Sequence, residues 1–465
     1  MKQILFVLPL CWVGVAHAQM AQTYSPFQTL IAAQMNALDQ RKMNLTNAAA
    51  SNPALSSSRE ILMPPVGDNS AAIANTAYVD RAVSNIGLQT VYQRTITVCA
   101  SGCNYASVVE GFNAALNASH RLATHGVVTV QIADGTYRER DQVFTNDPAS
   151  SAVQILGNLA DKSKVQINFT NIASTNQSGF IAVGGGQIGL IDGLTINGVG
   201  AQTTNTAMQT IWKNQSYGAG IIAQGGSVIN LGSHLKIEHF YYGVEADDGG
   251  VVNARLGGVA AGDAGDAAFM ARGNGVIVCP SCTANRASDM TDPNTAKLGF
   301  CFDAERGGAL YIDGSTCTAA AAGGVYALTN GKAWAHNVTV SKPLLASAMG
   351  IYALSGGAIE AQGSTITGMG TGINSHDGGW VECNGCSITR SSGDNVIADG
   401  GLFLASGAKN TGAGAYGYHA IHQGTIRLYG AVSNTKGNAA GNFSAEGAGT
   451  QNGVAFSASS IFVRN

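Results

Sequence analysis

The sequence is short of charge. Only 11% of its 465 residues are Asp, Glu, Lys or Arg, against about a quarter in an ordinary soluble domain. That is too little to dress a surface built of amphipathic helices. Basic residues are few and scattered: 25 Lys and Arg stand against 28 Asp and Glu, a net charge of −3. Without a basic stripe, nucleic-acid binding has no electrostatic support. Beyond the N-terminus no apolar run reaches the roughly 20 residues that a membrane-spanning helix needs. What the chain has in quantity is glycine, 61 residues, beside much Ala, Ser, Thr and Asn. Such a composition suits short strands joined by tight turns.

From Tyr217 onward one short unit recurs about ten times. Each unit opens with a small residue, an apolar residue, any residue, then Ala or Ser. Examples are Gly220-Ile221-Ile222-Ala223, Gly243-Val244-Glu245-Ala246, Gly324-Val325-Tyr326-Ala327, Gly350-Ile351-Tyr352-Ala353 and Gly372-Ile373-Asn374-Ser375. A polar turn ending in Gly follows, at Gly225, Gly249, Gly273, Gly307, Gly331, Gly356, Gly378, Gly400 and Gly424, in steps mostly of 22 to 25 residues. The step from Gly273 to Gly307 is longer and carries a polar insert around Asp289 to Asn294.

A fixed period in the twenties is the mark of a solenoid. Period-2 alternation after each glycine indicates strands. Three residues past the glycine stand Val228, Val252, Val276, Leu310, Trp334, Ile359, Val381 and Phe403. In successive coils they are expected to stack about 4.8 Å apart as an inward ladder. A β-sandwich does not repeat one register this often, and the leucine-rich-repeat pattern is absent. The fold class expected is all-β: a single-stranded right-handed parallel β-helix with an N-terminal α-helical cap.

Residues 1–19 read as a secretory signal: Lys2, an apolar core from Ile4 to Val15, and the cleavage motif Ala16-His17-Ala18. Residues 20–93 read as a stalk and linker, with helical apolar spacing over 24–47 (Phe27, Leu30, Ile31, Leu38). The β-helix is expected over 94–465. Cys11 leaves with the signal, so eight cysteines remain. Cys99 with Cys103, Cys279 with Cys282, and Cys383 with Cys386 are close in sequence, which leaves Cys301 and Cys317. The two C-x-x-C pairs lie four coils apart, roughly 19 Å along the axis at strand spacing, too far for one zinc ion. Local disulfides at turns are the favoured reading, with reduced buried cysteines second.

Two resemblances add to this. Pro64-Pro65-Val66-Gly67-Asp68-Asn69-Ser70, leading to Thr76-Ala77-Tyr78-Val79, resembles a linker recurrent in phage tail-fibre and tail-collar proteins, although Asn75 and Tyr78 replace the usual Thr and Phe. The match covers about twenty residues and carries no chemistry. Residues 94–157 combine a strand (Arg94–Val98), a helix (Asn104–Leu116, with Val108, Phe112, Ala115 and Leu116 on one face), a strand (Val127–Ile132) and Gly135-Thr136-Tyr137-Arg138-Glu139. This opening is similar to that of pectin-lyase-like β-helix proteins, most of all pectin methylesterases. The resemblance implies the β-helix over 94–465. Methylesterase and pectate-lyase site motifs are missing, so it transfers no catalytic residue.

One local candidate remains. Polar residues just before the turn glycine form a column: Asp247-Asp248, Arg272, Glu305-Arg306, Asn330, Ser355, His376-Asp377, Asp399 and His422. Coil spacing puts Asp377 and Asp399 roughly 5 Å apart in backbone terms, which suits a retaining carboxylate pair, with His376 adjusting their proton affinity. Against this, Asp and Asn favour turns before Gly on their own account. Tyr241, Tyr242, Tyr311, Tyr326, Tyr352 and Trp380 fall at or beside outward positions, where aromatic faces stack on sugars.

The leading functional expectation is an exported or virion-associated β-helix protein of tail-spike or adhesin type that binds polysaccharide. The alternative is a secreted polysaccharide-active enzyme: a lyase, glycoside hydrolase or carbohydrate esterase. Acidic groups with perturbed ionisation lining one groove would favour the enzyme. No cofactor or metal is expected, and calcium has no motif to support it. The partner expected is a glycan surface, with no nucleic acid and no membrane span. A homotrimer follows by analogy with tail-spikes. The location expected is periplasmic, extracellular or on a virion.

Overall fold

The computed structural model describes residues 93–121, 126–170, 178–198, 218–285, 287, 299–430, 435–446, 449–451, 454–456 and 459–464. The signal over 1–19, the stalk, the tail-fibre-like linker and most of the insert after Asn285 lie outside them.

The described chain forms three long parallel sheets of 14, 12 and 12 strands. Each coil contributes one strand to each sheet in turn, and the same strand of the next coil pairs with it. The coil Trp380–Glu382, Ser387–Thr389, Val396–Asp399 pairs throughout with Leu402–Ser406, Lys409–Thr411, Tyr416–Ile421. This is a parallel β-helix, as the repeat implied. One side chain in two points inward, and these form one continuous apolar core.

The inward ladder of the first sheet is Ile229, Val252, Ile277, Leu310, Ala333, Ile359, Val381, Phe403 and Ile426, all fully buried or nearly so. Five of the eight positions expected from glycine spacing are therefore right. Val228, Val276 and Trp334 are corrected: they lie one residue away and face outward. The cause is the choice of glycine. Turns contain one or two glycines, and the structurally equivalent one is the last: Gly250, Gly275, Gly308, Gly331, Gly357, Gly379, Gly401 and Gly424. It always sits two residues before the inward side chain. A Cβ there would overlap the carbonyl of the small residue that ends the preceding coil's third-sheet strand, Ala223, Ala246, Ala271, Ala304, Ala327, Ala353, Ser375 or Ala398. The repeat's glycine thus marks a steric contact between coils.

The helix runs Val108–Ser119, three to four residues later than expected. Asn104 and Tyr105 are engaged elsewhere. Asn104 Oδ1 accepts from Thr97 Oγ1 at 2.9 Å, and Tyr105 bridges Val98. Val108, Phe112 and Ala115 are buried in the core as expected, while Leu116 is half-buried. Glu139, from the Gly-Tyr-Glu element, is buried and accepts from Ser107 Oγ at 2.7 Å and Val108 N at 2.6 Å. Its carboxylate therefore caps the positive end of the helix dipole. That element locks the cap onto the first coil and does no chemistry.

All four cysteine pairs are disulfides, Cys301–Cys317 included. Neighbouring coils explain how the last one fits. At the position of Cys301, Gly324 and Gly350 approach the inward side chains of Val340 and Ile366. One coil fills that space with Cys–Cys where others use Gly with a branched residue.

Because the glycine contact is with backbone, relief requires the coils to part. Gly379→Ala is expected to cost about 1–3 kcal/mol, as overpacking does, read as a lowered calorimetric midpoint. An unchanged midpoint would show that the contact does not limit coil spacing.

Candidate functional site

The third sheet gathers buried charged groups on its outer face. Register places the "any residue" slot of the repeat in one outward column: Ile222, Glu245, Met270, Asp303, Tyr326, Tyr352, Asn374, Ile397 and His419. Two residues further along lies a second column, which includes Asp247, Arg272, Glu305, Leu328, Leu354 and His376. Outward residues of a sheet normally meet water, yet Glu245 is 1% exposed and Asp303 2%. Asp266, just before the strand Ala267–Ala271, is also buried.

Arg272 is the hub of this group. Its Nη2 lies 2.6 Å from Glu245 Oε1, its Nε is 3.4 Å from Asp247 Oδ2, and its guanidinium stands 5.4 Å from the centre of the Tyr242 ring. One cation faces several acids, so it cannot keep all of them ionised. Burial, reinforced by Asp247 and Asp266, pushes the Glu245 carboxyl up to about 7 against the pull of Arg272. Burial also raises Asp303 well above the usual carboxylate range, with Glu305 and Asp266 adding to it. Asp303 Oδ1 has no hydrogen-bond partner among the described residues. Glu305 is half-buried, and burial raises it too, against Arg306 and Arg272. A cavity of about 350 Å³ opens beside the cluster, lined by Asp247, Arg272, Gly273 and Arg306. Raised carboxyls beside a cleft and a fixed cation are the arrangement found at sites of proton transfer.

Further along the axis the columns turn aromatic. Phe300 and Tyr326 stack at 4.3 Å, and Tyr326 and Tyr352 at 5.3 Å. Gly323, opposite Phe300, leaves the room for that ring to lean over. These rings use their faces on one another; Phe300 and Tyr326 are buried and Tyr352 is half-buried. Burial raises Tyr326 and Tyr352 above the usual phenol range. On the first sheet Tyr311 and Trp334 stack at 4.4 Å, with Tyr311 exposed.

Of the residues singled out from sequence, His376 and Asp399 come together: His376 Nδ1 lies 2.9 Å from Asp399 Oδ2. His422 Nδ1 holds the other oxygen at 2.6 Å. Asp377 sits in the turn at φ 47° and accepts from Ser355 Oγ at 3.2 Å. Asp399 thus faces two imidazoles, and the partner found for the Asp377 carboxylate is a hydroxyl. The turn column itself was legible, with Asp247, Arg272 and Glu305 in it. Glu245 and Asp303 were missed because their slot looks unconstrained. The signal was there: the slot alternates with two core positions, so it must be one outward column, and its acids are two coils apart. Among the described residues, no group of three or more His, Cys, Asp or Glu side chains is arranged to hold a metal ion.

The raised carboxyls fix a pH dependence. A carboxyl whose folded value lies above its unfolded value stabilises the fold fully below the unfolded value. That contribution is lost as pH rises through the folded one. For Glu245 the window runs from its ordinary 4.5 to about 7, a change on the order of 3 kcal/mol. The melting midpoint is expected to fall between pH 5 and pH 8 by more in the native protein than in Glu245→Gln. Equal pH profiles would mean that Glu245 ionises normally.

No family model matches the sequence, and no curated protein is significantly similar to it. Among solved structures, the crystal structure of the pre-mature bacteriophage phi29 gene product 12 is similar over 70% of this chain and 50% of that one. The sequence identity is 12% and the TM-score 0.40. This chain therefore spans about half the length of that protein.

Proposed function

We propose that the protein is a polysaccharide-active β-helix that hydrolyses a glycan on the outer face of the third sheet. The observation that carries this is the set of raised carboxyls around Arg272, beside an open cleft. Glu305 is the general acid: it is half-buried, burial raises its carboxyl, and it adjoins Arg306, which lines the cleft. Asp247 is the base: its Oδ2 lies 3.4 Å from Arg272 Nε and its Oδ1 accepts from the amide of Asp248 at 2.9 Å. The two stand in one column with Arg272 between them. Their backbones are therefore about two strand spacings, roughly 9.5 Å, apart. That backbone spacing leaves room for the ~6.5–9.5 Å that separates the carboxyl groups of an inverting pair. Glu305 gives its proton to the glycosidic oxygen as that oxygen leaves the anomeric carbon. Asp247 takes a proton from the water that attacks from the opposite side. Glu245 and Asp303, closed off from solvent, position Arg272 rather than touch substrate.

A second reading shares the glycan and drops the cleavage: a tail-spike or adhesin, exported or carried on a virion, in homotrimeric form. The tail-fibre-like segment over 64–83 supports it. Asp377, Asp399 and His376, three to four coils away, are the site only if the third-sheet acids near Arg272 are not.

The test is a depolymerisation screen on a broad polysaccharide panel, with and without calcium, following reducing ends and unsaturated products. Cleavage is expected, reduced about 10²–10⁴-fold in Glu305→Gln and in Asp247→Asn and unaffected in Asp377→Ala and Asp399→Ala. Loss in the latter pair alone would move the site to the turn column. Binding without cleavage across the panel would favour the adhesin.

A further inference from the structure

A second cleft lies on the outer face of the second sheet, near the N-terminal end of the β-helix, and the chemistry above does not use it. It encloses about 450 Å³. Its floor is three consecutive strands, Val165–Phe169, Leu194–Asn197 and Leu235–Glu238. Register sets Gln166, Thr195 and Lys236 in one row and Asn168, Asn197 and Glu238 in the next. The following strand offers only Ala260 and Gly262, which ends both rows. His239 closes one side, and Ser163 lies across from it.

We propose that this cleft is a binding site for a neutral, polyhydroxylated ligand: one or two sugar units of a glycan, held without cleavage. The argument starts from what the lining lacks. No aromatic or large aliphatic side chain lines it, whereas pockets for apolar ligands are mostly hydrophobic. Its one lysine is paired: Lys236 Nζ lies 2.7 Å from Glu238 Oε1. Among the lining residues those charges cancel, and a phosphate or carboxylate ligand meets Glu238; the outward Arg138, in register with Asn168, stands on the adjoining strand outside the lining.

What remains is a mixed array of donors and acceptors. Asn197 Nδ2 donates to Asn168 Oδ1 at 2.8 Å. That bond aligns the two amides and leaves Asn168 Nδ2 as a donor and Asn197 Oδ1 as an acceptor. Gln166 Nε2 donates to the Ser163 carbonyl at 3.2 Å, which leaves Oε1 to accept. Thr195 Oγ1 donates to the Lys162 carbonyl at 3.1 Å and keeps its lone pairs. Sugar hydroxyls both donate and accept, and planar amides fixed in rows meet vicinal hydroxyls two at a time. A binding site built this way discriminates through hydrogen bonds that a wrong ligand would leave unmade. The site stands whether or not the third sheet cleaves anything. With cleavage, it would retain the glycan on a different face of the solenoid from the acids.

The test uses the full chain and neutral probes: glucose, galactose, mannose, maltotriose and cellotriose. Binding is followed by ligand-observed NMR and calorimetric titration, with inorganic phosphate as the charged control. Binding of at least one sugar in the millimolar range is expected, as for a polar site without an aromatic platform. Asn197→Leu is expected to weaken it at least tenfold while Leu256→Ser, an exposed side chain outside both clefts, leaves it unchanged. Gln166→Leu, further toward the edge of the cleft, serves as a second variant should Asn197→Leu fold poorly. Three results would overturn the proposal: no binding of any probe, binding that survives both leucine variants, or a preference for phosphate.

Discussion

Everything in this molecule depends on coils that stack in register at about 4.8 Å. The last glycine of each turn enforces that spacing from one side, because its hydrogen is the only substituent that clears the carbonyl of the coil before. In-register pairing of the sheets enforces it from the other. A stacked solenoid places each side chain directly beside its counterpart in the next coil. Apolar counterparts then make a ladder at no cost. Like charges do not: two carboxylates 5 Å apart at an effective dielectric constant of 20 repel by about 3 kcal/mol.

The outer face of the third sheet shows how the chain answers that repulsion. Met270 stands between Glu245 and Asp303 in one column, and Arg272 between Asp247 and Glu305 in the other. Asp399 is flanked by His376 and His422. Interleaving relieves the direct clash but leaves more acids than cations inside a buried patch. The surplus is met by protons, hence the raised carboxyls. Carboxyls raised by burial beside a fixed cation are the environment in which acid and base roles separate. Chemistry here follows from the packing rule of the fold.

The same rule explains what was legible beforehand. Period, strand identity and the apolar core follow from the repeat, because they depend on which positions recur, and the N-terminal helix follows from its own apolar face. Local pairing of the cysteines follows from their places at the corners of coils. The three misplaced ladder residues, Val228, Val276 and Trp334, trace to the glycine counted from: Gly225 and Gly273 lie four residues before the inward side chain and Gly331 two, so a count of three lands one residue off and reverses the face. Glu245 and Asp303 were hidden for a different reason. A slot that tolerates Ile, Glu, Met, Asp, Tyr and Asn shows no preference, and its burial is a tertiary fact. The His376–Asp399 contact was readable from coil spacing. Which carboxylates carry raised proton affinity was not, since that depends on how much water reaches them.

The most direct test is the protonation of Glu245 itself. Carbon-13 labelling of glutamate side chains, with the Glu245 resonance assigned by its loss in Glu245→Gln, allows a titration from pH 3 to pH 9. The account predicts a midpoint near 7, shifted further upward in Arg272→Met, which removes the cation that holds it down. A midpoint at or below 4.5, the ordinary glutamate value, would contradict it. The acids would then be fully compensated, and the outer face of the third sheet would be an ion-paired surface with no proton to give.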